Sequence, residues 1–94
     1  MMNLQEMRTR IDAVDAKIED LLKERYTIVG EVASYKAANG LPVYDAAREE
    51  EKISALRQRT GDKEMADYLE KIIRAVMAAS RDSEEHEIGC GKGK

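Results

Sequence analysis

Six charged or hydroxylic side chains fall on the apolar stripes of this chain or one position beside them: Arg25, Lys36, Arg48, Glu49, Ser80 and Glu84. Arg25 is the most telling. Apolar or part-apolar residues recur in steps of three and four at Leu4, Met7, Ile11, Val14, Ile18, Leu21, Ile28, Val32 and Tyr35, and Arg25 fills the one vacant place in that heptad seam. A guanidinium on the packing side of a helix is costly to bury unpaired, so an anion is expected to meet it there. A register-setting polar residue, or an arginine that carries its head group out to water, satisfies the same pattern. Glu49 continues the stripe of Ile53 and Leu56, while Ser80 and Glu84 extend that of Leu69, Ile73 and Met77.

No nucleophile stands beside a base in this set. The one histidine, His86, adjoins a Gly/Lys tail and the one cysteine, Cys90, lies within it, so neither acyl transfer nor metal chemistry finds candidate residues. Cations lacking such groups suit the binding and electrostatic stabilisation of a small polyanion. Taken singly, each residue has a plainer reading. Arg48 and Glu49 suit a helix surface, Lys36 a solvated helix end, Ser80 a close contact, and Asp45 the N-cap of a second helix.

The elements that must position these groups are helical. With one Pro, no Trp and no Phe in 94 residues, and abundant Ala, Glu, Lys and Arg, the chain reads as one all-α domain of three helices: one very long, one short, one medium. The first runs from about Leu4 to Ala38, with Gly30 as its only breaker, at a cost of about 1 kcal/mol relative to Ala. Asn39-Gly40 ends it, and Leu41-Pro42-Val43-Tyr44 forms an extended connector, because Pro42 keeps Leu41 out of the helical region. The second helix spans Ala46 to about Arg59, and the third spans Lys63 to about Glu85 after the Thr60-Gly61-Asp62 turn. Residues 1–88 form the domain and 89–94 a flexible tail or truncated linker.

Sixteen basic and nineteen acidic residues give a net charge of -3, with no basic footprint for nucleic acid and no polybasic membrane anchor. No apolar run approaches a spanning length and no signal peptide precedes the first helix, which points to a cytoplasmic protein. The first helix, at ~1.5 Å per residue, is ~50 Å long, against a diameter of ~30 Å for a compact chain of this size. It overhangs its own domain, so a second copy is expected to cover its seam in a homodimer.

Taken together, Arg8, Arg25, Lys36 eleven residues further on, and Pro42-Val43-Tyr44-Asp45-Ala46-Ala47-Arg48-Glu49 resemble the all-helical class of chorismate mutases, over about Leu4 to Glu84. The resemblance implies an intertwined homodimer of three-helix protomers and the rearrangement of the dicarboxylate chorismate to prephenate, in the pathway to phenylalanine and tyrosine, with no cofactor and no metal. By position, it implies that Arg25 and the other protomer's Arg8 clamp the substrate carboxylates and that Lys36 donates to the ether oxygen. Glu49 would accept from the ring hydroxyl with help from Asp45, and Arg48 and Ser80 would sit beside the ring and a carboxylate.

One position departs from the commonest bacterial pattern. Where many members carry Gln as a second donor to the ether oxygen, this chain has Glu84, as some other members do, with Glu85 as the fallback if the third helix is out of register. An ionised carboxylate would repel the developing oxyanion, so Glu84 can donate only when protonated. Two other readings are an isochorismate pyruvate lyase, which has a similar pocket, and a non-catalytic helical dimerisation or sensing module.

Overall fold

The computed structural model describes residues 3–92, with side chains through His86. Three helices account for its regular structure: α1 (Leu4–Ala38), α2 (Ala46–Thr60) and α3 (Lys63–Lys92), with no strand among the described residues. The starts are capped as the sequence suggests. Asn3 Oδ1 accepts from Glu6 N at 2.9 Å, Asp45 Oδ1 from Arg48 N at 3.0 Å and Asp62 Oδ2 from Met65 N at 2.9 Å, each satisfying an amide that the first turn leaves without a carbonyl. At the end of α1 the chain reverses through Gly40 at φ +65°, and Leu41 N donates back to Lys36 O at 2.9 Å. Such a turn favours glycine, which has no Cβ to clash. α3 continues to Lys92 rather than stopping near Glu85; side chains from residue 87 onward, including most of the expected tail, lie outside the described set.

α3 packs on both α1 and α2, whose backbones do not approach each other. A network of side chains fixes α2 on α3. Arg57 reaches Asp67 at 2.8 Å and Glu70 at 2.9 Å, and Arg74 joins Glu70 at 2.7 Å to Glu50 at 3.0 Å. Hydrogen bonds from Lys63 and Arg57 hold the Asp67 carboxyl below its usual range, and those from Arg74 and Arg57 do the same for Glu70. These are solvent-facing pairs. Their effect is mainly on the alignment of the two helices, since single surface ion pairs contribute little to stability.

α1 carries two apolar stripes. The half-buried Val29 and Lys36 and the fully buried Ala33, at 0% exposure, face α3 within the chain. Most of the heptad seam faces outward instead, with Ile11 58% and Leu21 63% exposed, while Arg25 and Val32 turn inward. Among the described residues the core proper is Ala33, Ile53, Ala66 and Met77, and no large side chain is fully buried. An apolar groove of about 570 Å³, lined by Leu22, Tyr26, Val29, Ile72 and Val76 among others, runs between α1 and α3. The chain measures 58 × 29 × 14 Å with a radius of gyration of 17.0 Å, well above the ~12 Å of a compact domain of this length. Among the described residues, no helix is long and apolar enough to cross a membrane.

Candidate active site

A cavity of about 180 Å³ opens where the C-terminal half of α1, the connector, the first turns of α2 and the C-terminal half of α3 converge. Its charged lining comprises Arg25 and Lys36 from α1, Asp45 ahead of α2, Arg48, Glu49 and Lys52 on α2, and Arg81 and Glu84 on α3. Val29, Val32, Val43 and Met77 supply apolar wall. Five cations face three carboxylates, which leaves two positive charges in excess, the charge of a dicarboxylate with the sign reversed.

The helical spacing explains the convergence. Arg25, Val29, Val32 and Lys36 recur at three or four residues on α1; Asp45, Arg48, Glu49 and Lys52 do so across the start of α2; Met77, Ser80, Arg81 and Glu84 do so on α3. Each set forms one face of a helix, and α3 brings the faces together. Arg25 Nη1 donates to Ser80 Oγ, which in turn donates to Val76 O at 2.9 Å, so the guanidinium is tied to α3 by a hydroxyl and not by a carboxylate.

Lys36 Nζ donates to Val43 O at 2.8 Å and stands 3.0 Å from Glu84 Oε1. The ammonium is angled toward the carbonyl, so Glu84 Oε1 has a nearby cation but no aligned donor. Glu84 is only 6% exposed, and such a buried oxygen retains unused acceptor capacity facing the cavity. Glu49 is held differently. Arg81 Nη1 donates to both of its oxygens at 2.5 Å, and the same guanidinium lies 4.9 Å from the Tyr44 ring centroid, a cation–π contact that anchors it to the connector.

Seven of the eight residues expected from the sequence thus line one cavity, Ser80 among them and bonded there to Arg25. Arg8 is the exception. It lies seventeen residues before Arg25, about 25 Å along α1, exposed and away from its own chain's cavity. Glu84 lines the cavity, whereas Glu85 is exposed outside it. Two cations escaped sequence reasoning. Lys52 lies one turn after Arg48 and Arg81 directly follows Ser80, so their helical positions carried the signal, but charges on amphipathic helices are ordinarily solvated.

The sequence profile of the chorismate mutase type II family matches residues 7–85, a stretch that contains every one of these groups. The chain belongs to that family. Over 82 residues, 86% of this chain, it is 35% identical to the T-protein of Enterobacter agglomerans, 22% of which is covered. Over 85 residues, again 86% of this chain, it is 32% identical to the T-protein of Haemophilus influenzae, with 22% of that protein covered. The chain therefore spans about a fifth of the length of these curated relatives. No solved structure matches it.

Within this chorismate mutase type II domain, the Lys36–Glu84 contact is the most deeply buried ion pair of the cavity, with side-chain exposures of 19% and 8%. Removing one partner of such a pair leaves the other charged and desolvated. Lys36→Met is expected to lower the unfolding free energy by about 3 kcal/mol, measured by urea denaturation at fixed protein concentration. Adding Glu84→Gln should restore most of that loss. Equal losses in the single and double variants would show that Lys36 does not support Glu84.

Proposed function

We propose that the chain is a chorismate mutase, rearranging chorismate to prephenate on the route to phenylalanine and tyrosine, and that it acts as a homodimer whose sites are shared between protomers. The observation that carries this reading is the pairing of Lys36 Nζ with Glu84 Oε1 at 3.0 Å, on the wall of a cavity with two positive charges in excess. The rearrangement breaks an ether C–O bond as it makes a C–C bond. It needs the flexible dianion held in a compact conformer and the charge growing on the ether oxygen stabilised. Side chains that hold and polarise are sufficient.

In this mechanism, Arg25 and the partner protomer's Arg8 grip the two carboxylates, bidentately where geometry allows, with Arg48 and Ser80 beside them. Lys36 donates to the ether oxygen, and Glu84, paired with Lys36 as a carboxylate in the free protein, supplies the second hydrogen bond once it has taken up a proton. Glu49, already oriented through both oxygens by Arg81, accepts from the ring hydroxyl, and Asp45 assists from the start of α2. A helical dimerisation module would have no use for a buried Lys–Glu pair, whose desolvation is costly. Separate incubations with chorismate and isochorismate, following loss of each, test the reading. Loss of chorismate with formation of prephenate is expected; release of pyruvate from isochorismate alone would make the protein a lyase, and no reaction with either would favour the non-catalytic alternative.

The outward seam of α1 and the exposed Arg8 support the shared site. Arg8→Ala and Arg25→Ala homodimers are expected to be nearly inactive, each having lost one carboxylate clamp from both sites. Refolded together at random, about half of the dimers are hybrids with one intact site and one doubly damaged site, giving about a quarter of wild-type activity. No recovery after verified co-refolding would place Arg8 and Arg25 in the same protomer's site or remove Arg8 from it.

The proton on Glu84 gives a kinetic signature. If the acid form donates, kcat/KM rises as pH falls, until Glu49 or the substrate protonates. Glu84→Gln supplies a donor at every pH and should flatten the profile between about pH 5 and 8.5. A wild-type profile that is already flat, or the same acid-side rise in the Gln variant, would exclude Glu84 as the donor.

A further inference from the structure

Neither the resemblance nor the comparisons assign a role to Lys52. It occupies the same face of α2 as Arg48 and Glu49, is half-buried, and lines both the cavity and the shallower depression at its mouth beside Leu21, Ile28 and Val32. Arg25 and Arg48 line both as well. These three cations are the ones that the protein leaves without a carboxylate. Arg25 is bonded to the Ser80 hydroxyl, and among the described residues the side chains of Arg48 and Lys52 form no hydrogen bond or ion pair. The other two cations of the cavity, Lys36 and Arg81, are matched to Glu84 and Glu49.

We propose that Lys52 is a substrate-binding residue that joins Arg25 and Arg48 in a three-cation mouth receiving a carboxylate of the dianion. The inference rests on the chorismate mutase reading for the identity of the ligand but not for the existence of the anion site. A half-buried ammonium beside two guanidinium groups is repelled by both and attracted only by Glu49, whereas a carboxylate placed there attracts all three cations. Burial first, and then repulsion from Arg25 and Arg48, holds the Lys52 ammonium below its ordinary value, against a smaller opposing pull from Glu49. The groups facing it are Arg25 and Glu24 on α1, Arg48 and Glu49 on α2, and Arg81 and Glu84 on α3, with Asp45 at the start of α2.

Two consequences separate Lys52 from the groups that act on the ether oxygen. The carboxylates are charged in the substrate and in the transition state alike, so Lys52 contributes binding that is uniform along the reaction and acts on KM more than on kcat. Binding a dianion also favours protonated Lys52. In the free protein the proton is lost as pH rises through its lowered pKa, so KM should increase on the alkaline side and ligand binding should take up protons there.

The test compares the wild type with Lys52→Gln and Lys52→Arg, using chorismate kinetics and calorimetric titration with prephenate from about pH 7 to pH 10, a range bracketing a lowered lysine. Lys52→Gln is expected to raise KM and the prephenate Kd about ten-fold, the scale of one charge-assisted hydrogen bond, with kcat changed much less. Lys52→Arg should keep the affinity and abolish the alkaline rise in KM and the proton uptake. Wild-type affinity in Lys52→Gln, or the same alkaline rise in both variants, would overturn the proposal. If the wild type does not convert chorismate but binds prephenate in a Lys52-dependent way, the catalytic reading falls and the anion site stands. If it binds neither compound, both fall.

Discussion

Every charge in the cavity is positioned through α3, because it is the one helix that packs on both of the others. α1 meets it along the Val29–Ala33–Lys36 stripe, and α2 is held to it by Arg57 and Arg74 acting on Asp67, Glu70 and Glu50. The pairs that shape the cavity also cross to α3: Arg25 to Ser80, Lys36 to Glu84, and Arg81 to Glu49. A shift of α3 along its axis would therefore alter all three together. The cavity behaves as a single unit although its residues come from every helix.

The electrostatics divide into two groups with different roles. Lys36 with Glu84, and Arg81 with Glu49, are pairs whose members offset each other's desolvation and are held in set orientations. Arg25, Arg48 and Lys52 lack such partners and repel one another. In the proposed mechanism the first group acts on the ether oxygen and the ring hydroxyl, where geometry decides the rate. The second is a concentration of positive charge on partly exposed side chains, suited to attracting an anion.

Much of this was legible in the sequence. The ends of α1 and α2 followed from Asn39-Gly40, Pro42, Asp45 and Gly61, whose backbone chemistry is local and unambiguous. Glu84 rather than Glu85 followed from the three-and-four spacing after Met77 and Ser80. Arg81 and Lys52, like Lys36 and Arg48, stand one position off an apolar stripe, where a charge reads as solvated until the neighbouring helix is in place; only Lys36 and Arg48 were marked out by the family resemblance. The end of α3 was also missed, since Gly89 and Gly91 lower helix propensity without forbidding the continuation seen to Lys92. The exposure of most of the α1 seam followed from the length of the helix, whereas the adjacent Val29–Ala33–Lys36 stripe that packs within the chain did not stand out in the sequence.

Ala33 is the only residue of α1 that is buried outright, and it lies one helical turn from both Val29 and Lys36. Among the described residues no large side chain is fully buried, and what α1 buries completely at this point is a single methyl group. Ridge-to-groove packing brings helices about 8–10 Å apart according to the side chains at the crossing, and a bulkier residue at position 33 would act as a wedge. The separation of Lys36 from Glu84, and of Arg25 from Ser80, would then widen with no change to any of those four residues. A side chain outside the lining of the cavity thus bears on its calibre.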